Sequence, residues 1–145
     1  MAHHHSIILL LLFIVVVTLV NISSQASAHK CIFTPRAHIH IINRLDDPKS
    51  PPLKLHCASK NDDLGFHTLS FTQEFTWTFC ENFLPTTLFF CHLWWGSKQI
   101  MFDAFKQESV ESLPLQFYWY AMTDGIYMSR KPHDLSLMVK SFDWY

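Results

Sequence analysis

Residues 75–80 read Phe-Thr-Trp-Thr-Phe-Cys, with a ring at every second position and a small polar residue between. Side chains alternate faces along a strand, so this spacing buries one face and leaves the other wet. Leu53, Leu55 and Cys57 repeat the pattern, as do Ile39 and Ile41 within residues 37–43. Thr86–Leu93 is apolar on both faces, which fits a central strand. Lys98–Phe105, Leu115–Met122, Ile126–Ser129 and Leu135–Phe142 supply four more strands, with Asp124-Gly125 as a tight turn between two of them. One helical turn is expected at Glu108–Ser112. About eight short strands separated by turn signals predict an all-β fold, a sandwich or a barrel.

The four cysteines restrict this further. They allow three full pairings. Cys57 shares the face of Leu53 and Leu55, which is the core face, whereas Cys80 lies opposite Phe75, Trp77 and Phe79. That parity favours Cys57 with Cys91 and Cys31 with Cys80. The alternative leaves Cys31 and Cys80 as thiols. Each loop so closed is worth roughly 3–4 kcal/mol by chain entropy.

The compartment follows from the chain start. Residues 7–20 are apolar apart from one Thr, short of the roughly 20 apolar residues that span a bilayer. Ala26-Ser27-Ala28 is a small-x-small cleavage signature, so residues 1–28 are expected to be a signal peptide. Cleavage after Ala26 and an uncleaved anchor are the alternatives. Residues 29–145 then form one secreted, extracellular domain with no membrane span, and a monomer is expected. All 11 basic and 12 acidic residues fall there, for a net charge of −1. Without a basic block, nothing points to nucleic acid. The 13 Phe and 5 Trp exclude a disordered chain.

An ordered set of residues carries a resemblance. His56-Cys57, Ser59, Asp62-Asp63-Leu64-Gly65, Phe75-x-Trp77-x-Phe79, Thr87-x-Phe89-Phe90-Cys91, Trp94 or Trp95, and Phe102-Asp103 follow in sequence. Phe117-x-Trp119, Asp124-Gly125-Ile126-Tyr127 and Trp144 continue it. This pattern resembles the plant self-incompatibility S1 protein family, the S-protein homologues, from Ile39 to Trp144. The resemblance implies a small, disulfide-stapled antiparallel β-sandwich secreted by a plant. It also implies a recognition role, as for the stigma-secreted ligand that triggers rejection of self pollen in poppy. One departure stands out. The family usually carries a late CxxCxW segment, and the matching stretch here, 113–119, has neither cysteine. Their joint absence fits a bridge lost as a unit, with Cys57–Cys91 the family bridge retained and Cys31–Cys80 a replacement.

Residues that suggest chemistry have plainer explanations. His38 and His40 share a strand face and with His67 or His92 would make a metal site only if three or four ligands converged, so no metal and no cofactor are expected. Asp62 and Asp63 lack calcium-loop spacing; Asn61-Asp62-Asp63-Leu64-Gly65 reads as a turn, with Gly65 at positive φ. His56 and Cys57 point to opposite faces and cannot act as a pair. Ser59 and Ser70 have no nucleophile context. No catalytic set survives, and an enzyme is not expected. The mature part has no N-glycosylation sequon.

The reading is therefore a secreted recognition ligand for a plant cell-surface receptor protein. Its contact surfaces are expected in the loops Asp46–Pro52, Lys60–Phe66 and Leu93–Lys98, with Arg44, Phe66 and Trp95 as anchors. The alternatives are a secreted sugar-binding or defence protein, suggested by Trp94-Trp95-Gly96, and a developmental role unrelated to self-incompatibility.

Overall fold

The computed structural model describes residues 31–46, 50–108 and 115–145. The expected signal peptide, the centre of the Asp46–Pro52 loop and the expected Glu108–Ser112 turn beyond Glu108 itself lie outside the described residues. Among the described residues nine strands run in order: β1 Arg36–Asn43, β2 Leu53–Ser59, β3 Asp63–Leu69, β4 Glu74–Cys80, β5 Leu88–Trp95, β6 Lys98–Lys106, β7 Leu115–Met122, β8 Gly125–Ser129 and β9 Val139–Phe142. They form two sheets, β4-β1-β7-β8-β9 and β3-β2-β5-β6. All neighbours are antiparallel except β1 and β7, which run parallel from Ala37↔Leu115 to Asn43↔Ala121.

The inward residues are those the period of two selects. Ile39 and Ile41 of one sheet, and Leu53, Leu55, Cys57, Cys91 and Leu93 of the other, are fully buried. Each buried Leu or Ile contributes about 1.5–3 kcal/mol relative to exposure. Aromatic rings lock the two layers. Phe79 of β4 meets Phe89 of β5 at 4.5 Å, and Phe102 of β6 meets Trp119 of β7 at 4.7 Å. The Trp119 indole N–H also donates across the layers to the Ala104 carbonyl at 2.9 Å. Apart from these rings, Asn43 is a buried polar tie. Its amide donates to the Leu69 carbonyl and its carbonyl accepts from the Leu45 amide, each at 2.9 Å.

Two local differences from the sequence reading have clear causes. Residues 63–69 form a strand, β3, where the sequence suggested a loop through Phe66. Its signal is masked because Gly65 bends it at φ +77° and the β2–β3 register shifts between His56 and Ala58. The last strand starts at Val139 and not at Leu135, because Asp134 caps a short 3₁₀ turn at Leu135–Leu137. Its carboxylate accepts from the Ser136 amide and hydroxyl.

Candidate recognition surface

The acidic turn is held from inside. Ser59 N–H donates to the Asp62 carbonyl at 2.7 Å, and the Ser59 hydroxyl accepts from the Asp62 amide at 3.0 Å. Asp63 Oδ1 accepts from the Gly65 amide at 2.9 Å and from His56 Nε2 at 2.7 Å. Those two bonds hold the Asp63 carboxyl below its usual range, the Gly65 amide being the larger cause. Leu64 packs against the core, and its carbonyl faces His67 Nε2 at 2.8 Å. The two carboxylates thus face different partners. The candidate loop Lys60–Phe66 shrinks to a turn at residues 60–62.

The histidines divide between the sheets. His38 faces the Thr78 hydroxyl at 3.1 Å, and His40 stacks on Tyr118 at 4.4 Å, both on the outside of β1. Burial first, then Arg36 and His40, lowers the His38 pKa. His92 lies on the outer face of the other sheet, against Gln99 Oε1 at 2.9 Å. Among the described residues, no three His, Cys, Asp or Glu side chains converge as metal ligands do.

The three anchors named from sequence differ in exposure. Arg44 is half-buried just beyond β1, with its amide on the Ala121 carbonyl at 2.9 Å. Trp95 is half-buried against Trp144, donates its indole N–H to the Ser50 hydroxyl and has Lys98 Nζ 4.9 Å from its ring centre. It shares the inward parity of Cys91 and Leu93, so the outward member of the Trp pair is Trp94. Phe66 alone stands clear, 76% exposed, on the outer face of β3.

A larger exposed apolar cluster lies at one end of the sandwich. Cys31 is bonded to Cys80, 49 residues on, and Cys57 to Cys91 across β2 and β5 with Cα atoms 4.1 Å apart. The first bridge pins the segment before β1 beside the segment after β4, and the Glu81 amide reinforces it by donating to the Pro35 carbonyl at 3.1 Å. Four large side chains project there: Phe33 is 89%, Phe83 80%, Ile32 75% and Leu84 68% exposed. The segment carrying Phe83 and Leu84 is tied down. Asn82 N–H donates to the Thr87 hydroxyl at 3.0 Å, and the buried Gln107 amide donates to the Asn82 carbonyl at 3.0 Å. Beside it, a groove of about 660 Å³ runs between the Lys60–Asp62 turn and Asn82, Thr86 and Phe90. Nothing in the strand pattern marks this end. The available signal was Phe83-Leu84 set between Asn82 and Pro85, two apolar residues inside a turn-forming run with no alternation to bury them.

Comparison with known proteins adds the following. A family model described as plant self-incompatibility protein S1 matches residues 38–144. S-protein homolog 5 of Arabidopsis thaliana is 36% identical over 94 residues, covering 65% of this chain and 69% of that protein. Self-incompatibility protein S1 of Papaver rhoeas is 30% identical over 107 residues, 71% of this chain and 75% of that protein. A solved structure of SPH (self-incompatibility protein homologue) proteins, described as a widespread family of small, highly stable, secreted proteins from plants, shares the fold. It aligns with a TM-score of 0.62 at 19% identity over 77% of this chain and 96% of its own.

Proposed function

The chain belongs to the plant self-incompatibility protein S1 family, and on that premise we propose that it is a secreted recognition ligand for a plant cell-surface receptor protein. It acts as a monomer, by binding and without a reaction of its own. One observation supports this reading above the others: four exposed apolar side chains stand at a single end of the sandwich, on two segments joined by Cys31–Cys80. Exposed apolar clusters on small proteins mark interaction sites. Affinity in such sites concentrates in a few large side chains. A disulfide that orders the segment before binding removes entropy the complex would otherwise lose. The adjacent groove gives a partner side chain somewhere to go.

The test is saturation binding of the labelled secreted protein to plant protoplasts, which have been stripped of their wall polysaccharide. Phe33→Ala, Phe83→Ala and Leu84→Ala together should weaken binding at least about tenfold without lowering thermal stability, since truncating a hot-spot residue costs about 2 kcal/mol. Wild-type affinity in that variant would overturn the proposed surface. The same assay on Arg44→Ala, Phe66→Ala and Trp95→Ala tests the alternative anchors. A loss confined to those three would move the contact to them.

A further inference from the structure

The outer face of the β3-β2-β5-β6 sheet carries a feature that receptor docking at the sandwich end leaves unused. Its middle row, in register, is Phe66, His56, His92 and Met101, one residue from each strand. Trp94 stands two residues from His92 on the same face of β5. The rings lie close to parallel. His56 and Phe66 are 4.5 Å apart at 21°, His92 and Trp94 are 3.8 Å apart at 29°, and Phe66 and Trp94 are 6.1 Å apart at 29°. Phe66 and Trp94 belong to strands on either side of β2, so their rings arch over it. Phe66 and Met101 stand well clear of the surface, 76% and 53% exposed.

From this geometry we infer that the strip is a binding platform for a neutral polysaccharide laid across the strands. Three features on this face lead to that ligand. First, the strip is short and narrow. Four strands at about 4.8 Å spacing give a length of about 14 Å, and two residues along a strand give a width of about 7 Å. That makes a contact of at most a few hundred Å², well under the roughly 800 Å² per partner of a stable protein interface. Second, its charges nearly cancel. By register this face carries Lys54 on one side of the middle row and Asp63 and Asp103 on the other, and Asp63 is already bonded to His56. There is no field of one sign to attract an anionic chain, and the two carboxylates oppose one. Third, its chemistry is mixed as a sugar's is. Pyranose C–H groups pack on ring faces, while the Thr68 hydroxyl, Lys54 ammonium and Gln99 amide flank the rings to meet hydroxyl groups. Gln99 is held in place by His92 at 2.9 Å.

This inference stands apart from the receptor reading, because it uses a different face and different residues. The experiment is affinity electrophoresis and calorimetry of the secreted protein with xyloglucan, mixed-linkage β-glucan and polygalacturonate. We expect binding to at least one of the two neutral polymers. Phe66→Ala, at an exposed position that folding does not need, should weaken it about tenfold, as should Trp94→Ala in protein shown to be folded by its melting curve. Phe33→Ala with Phe83→Ala should leave it unchanged. No binding to either neutral polymer, binding to polygalacturonate alone, or neutral-polymer binding indifferent to both ring variants would each overturn the inference. So would sedimentation showing a dimer that Phe66→Ala dissolves, because the face would then be filled by a second copy.

Discussion

Replacing Asn43 with Leu tests how the two layers are tied together away from the rings. Asn43 ends β1 in one sheet, and its side chain reaches Leu69 at the end of β3 in the other. Its carbonyl oxygen also satisfies the amide of Leu45, which is itself buried. Leucine fills the same space but leaves the Leu69 carbonyl and the Leu45 amide without partners. A buried polar group so orphaned costs about 1–3 kcal/mol, so the pair is worth about 2–6 kcal/mol. That is a large share of the about 5–15 kcal/mol net stability of a small domain. The melting temperature should fall by roughly 10–20 °C at this chain length. The assay is urea unfolding followed by tryptophan fluorescence, with both disulfides intact and Thr76→Ala on the exposed face of β4 as a neutral control. A loss below about 1 kcal/mol at unchanged urea dependence would refute the reasoning, since water or a shifted backbone must then satisfy both groups.

Two further outcomes follow from backbone and charge. Gly125→Ala places a Cβ 2.3 Å from the Phe142 carbonyl oxygen and 2.7 Å from Lys140 Cε, at φ +154°, so β8 and β9 must separate. A loss of about 2–4 kcal/mol is expected from strain and clash together, against about 1–2 kcal/mol for Gly65→Ala, whose Cβ meets open space. Equal losses in chemical denaturation would contradict the clash. The lowered Asp63 pKa stabilises the fold above the unfolded carboxyl value of about 3.9, and that contribution is lost as pH falls through the lower folded value. Wild-type protein should therefore lose more stability than Asp63→Asn on acidification below about pH 4, and parallel acid profiles would contradict the assignment.

Alternation made most of the fold legible. In β1, β2 and β4 one face is core and the other is solvent, so ring spacing alone separates them. The same parity puts Cys57 inside and Cys80 outside. It also carried information about Trp94 and Trp95, because Cys91 and Leu93 point inward and Trp95 follows them. Trp95 is accordingly half-buried against Trp144. The β3 strand was hidden because a bulged strand with glycine at positive φ uses the residues of a turn. Strand order across the two sheets depends on long-range packing that no local pattern records. The apolar end and the aromatic strip were illegible for a related reason. Each joins residues far apart in the chain, through a disulfide in one case and through sheet register in the other.

The parallel pairing of β1 with β7 bears on how the chain is assembled as it is made. An antiparallel neighbour can arrive through a short turn, but a parallel one needs a crossover, and here the crossover carries the whole of the other sheet together with β4. During synthesis the β7-facing edge of β1 must wait until residues 115–122 emerge. All four strands of the β3-β2-β5-β6 sheet, and both cysteines that cross-link it, are by then already outside the ribosome. The first of the described strands thus waits for its second neighbour until the other sheet has been made, and for that interval its open edge is available to any other extended chain nearby.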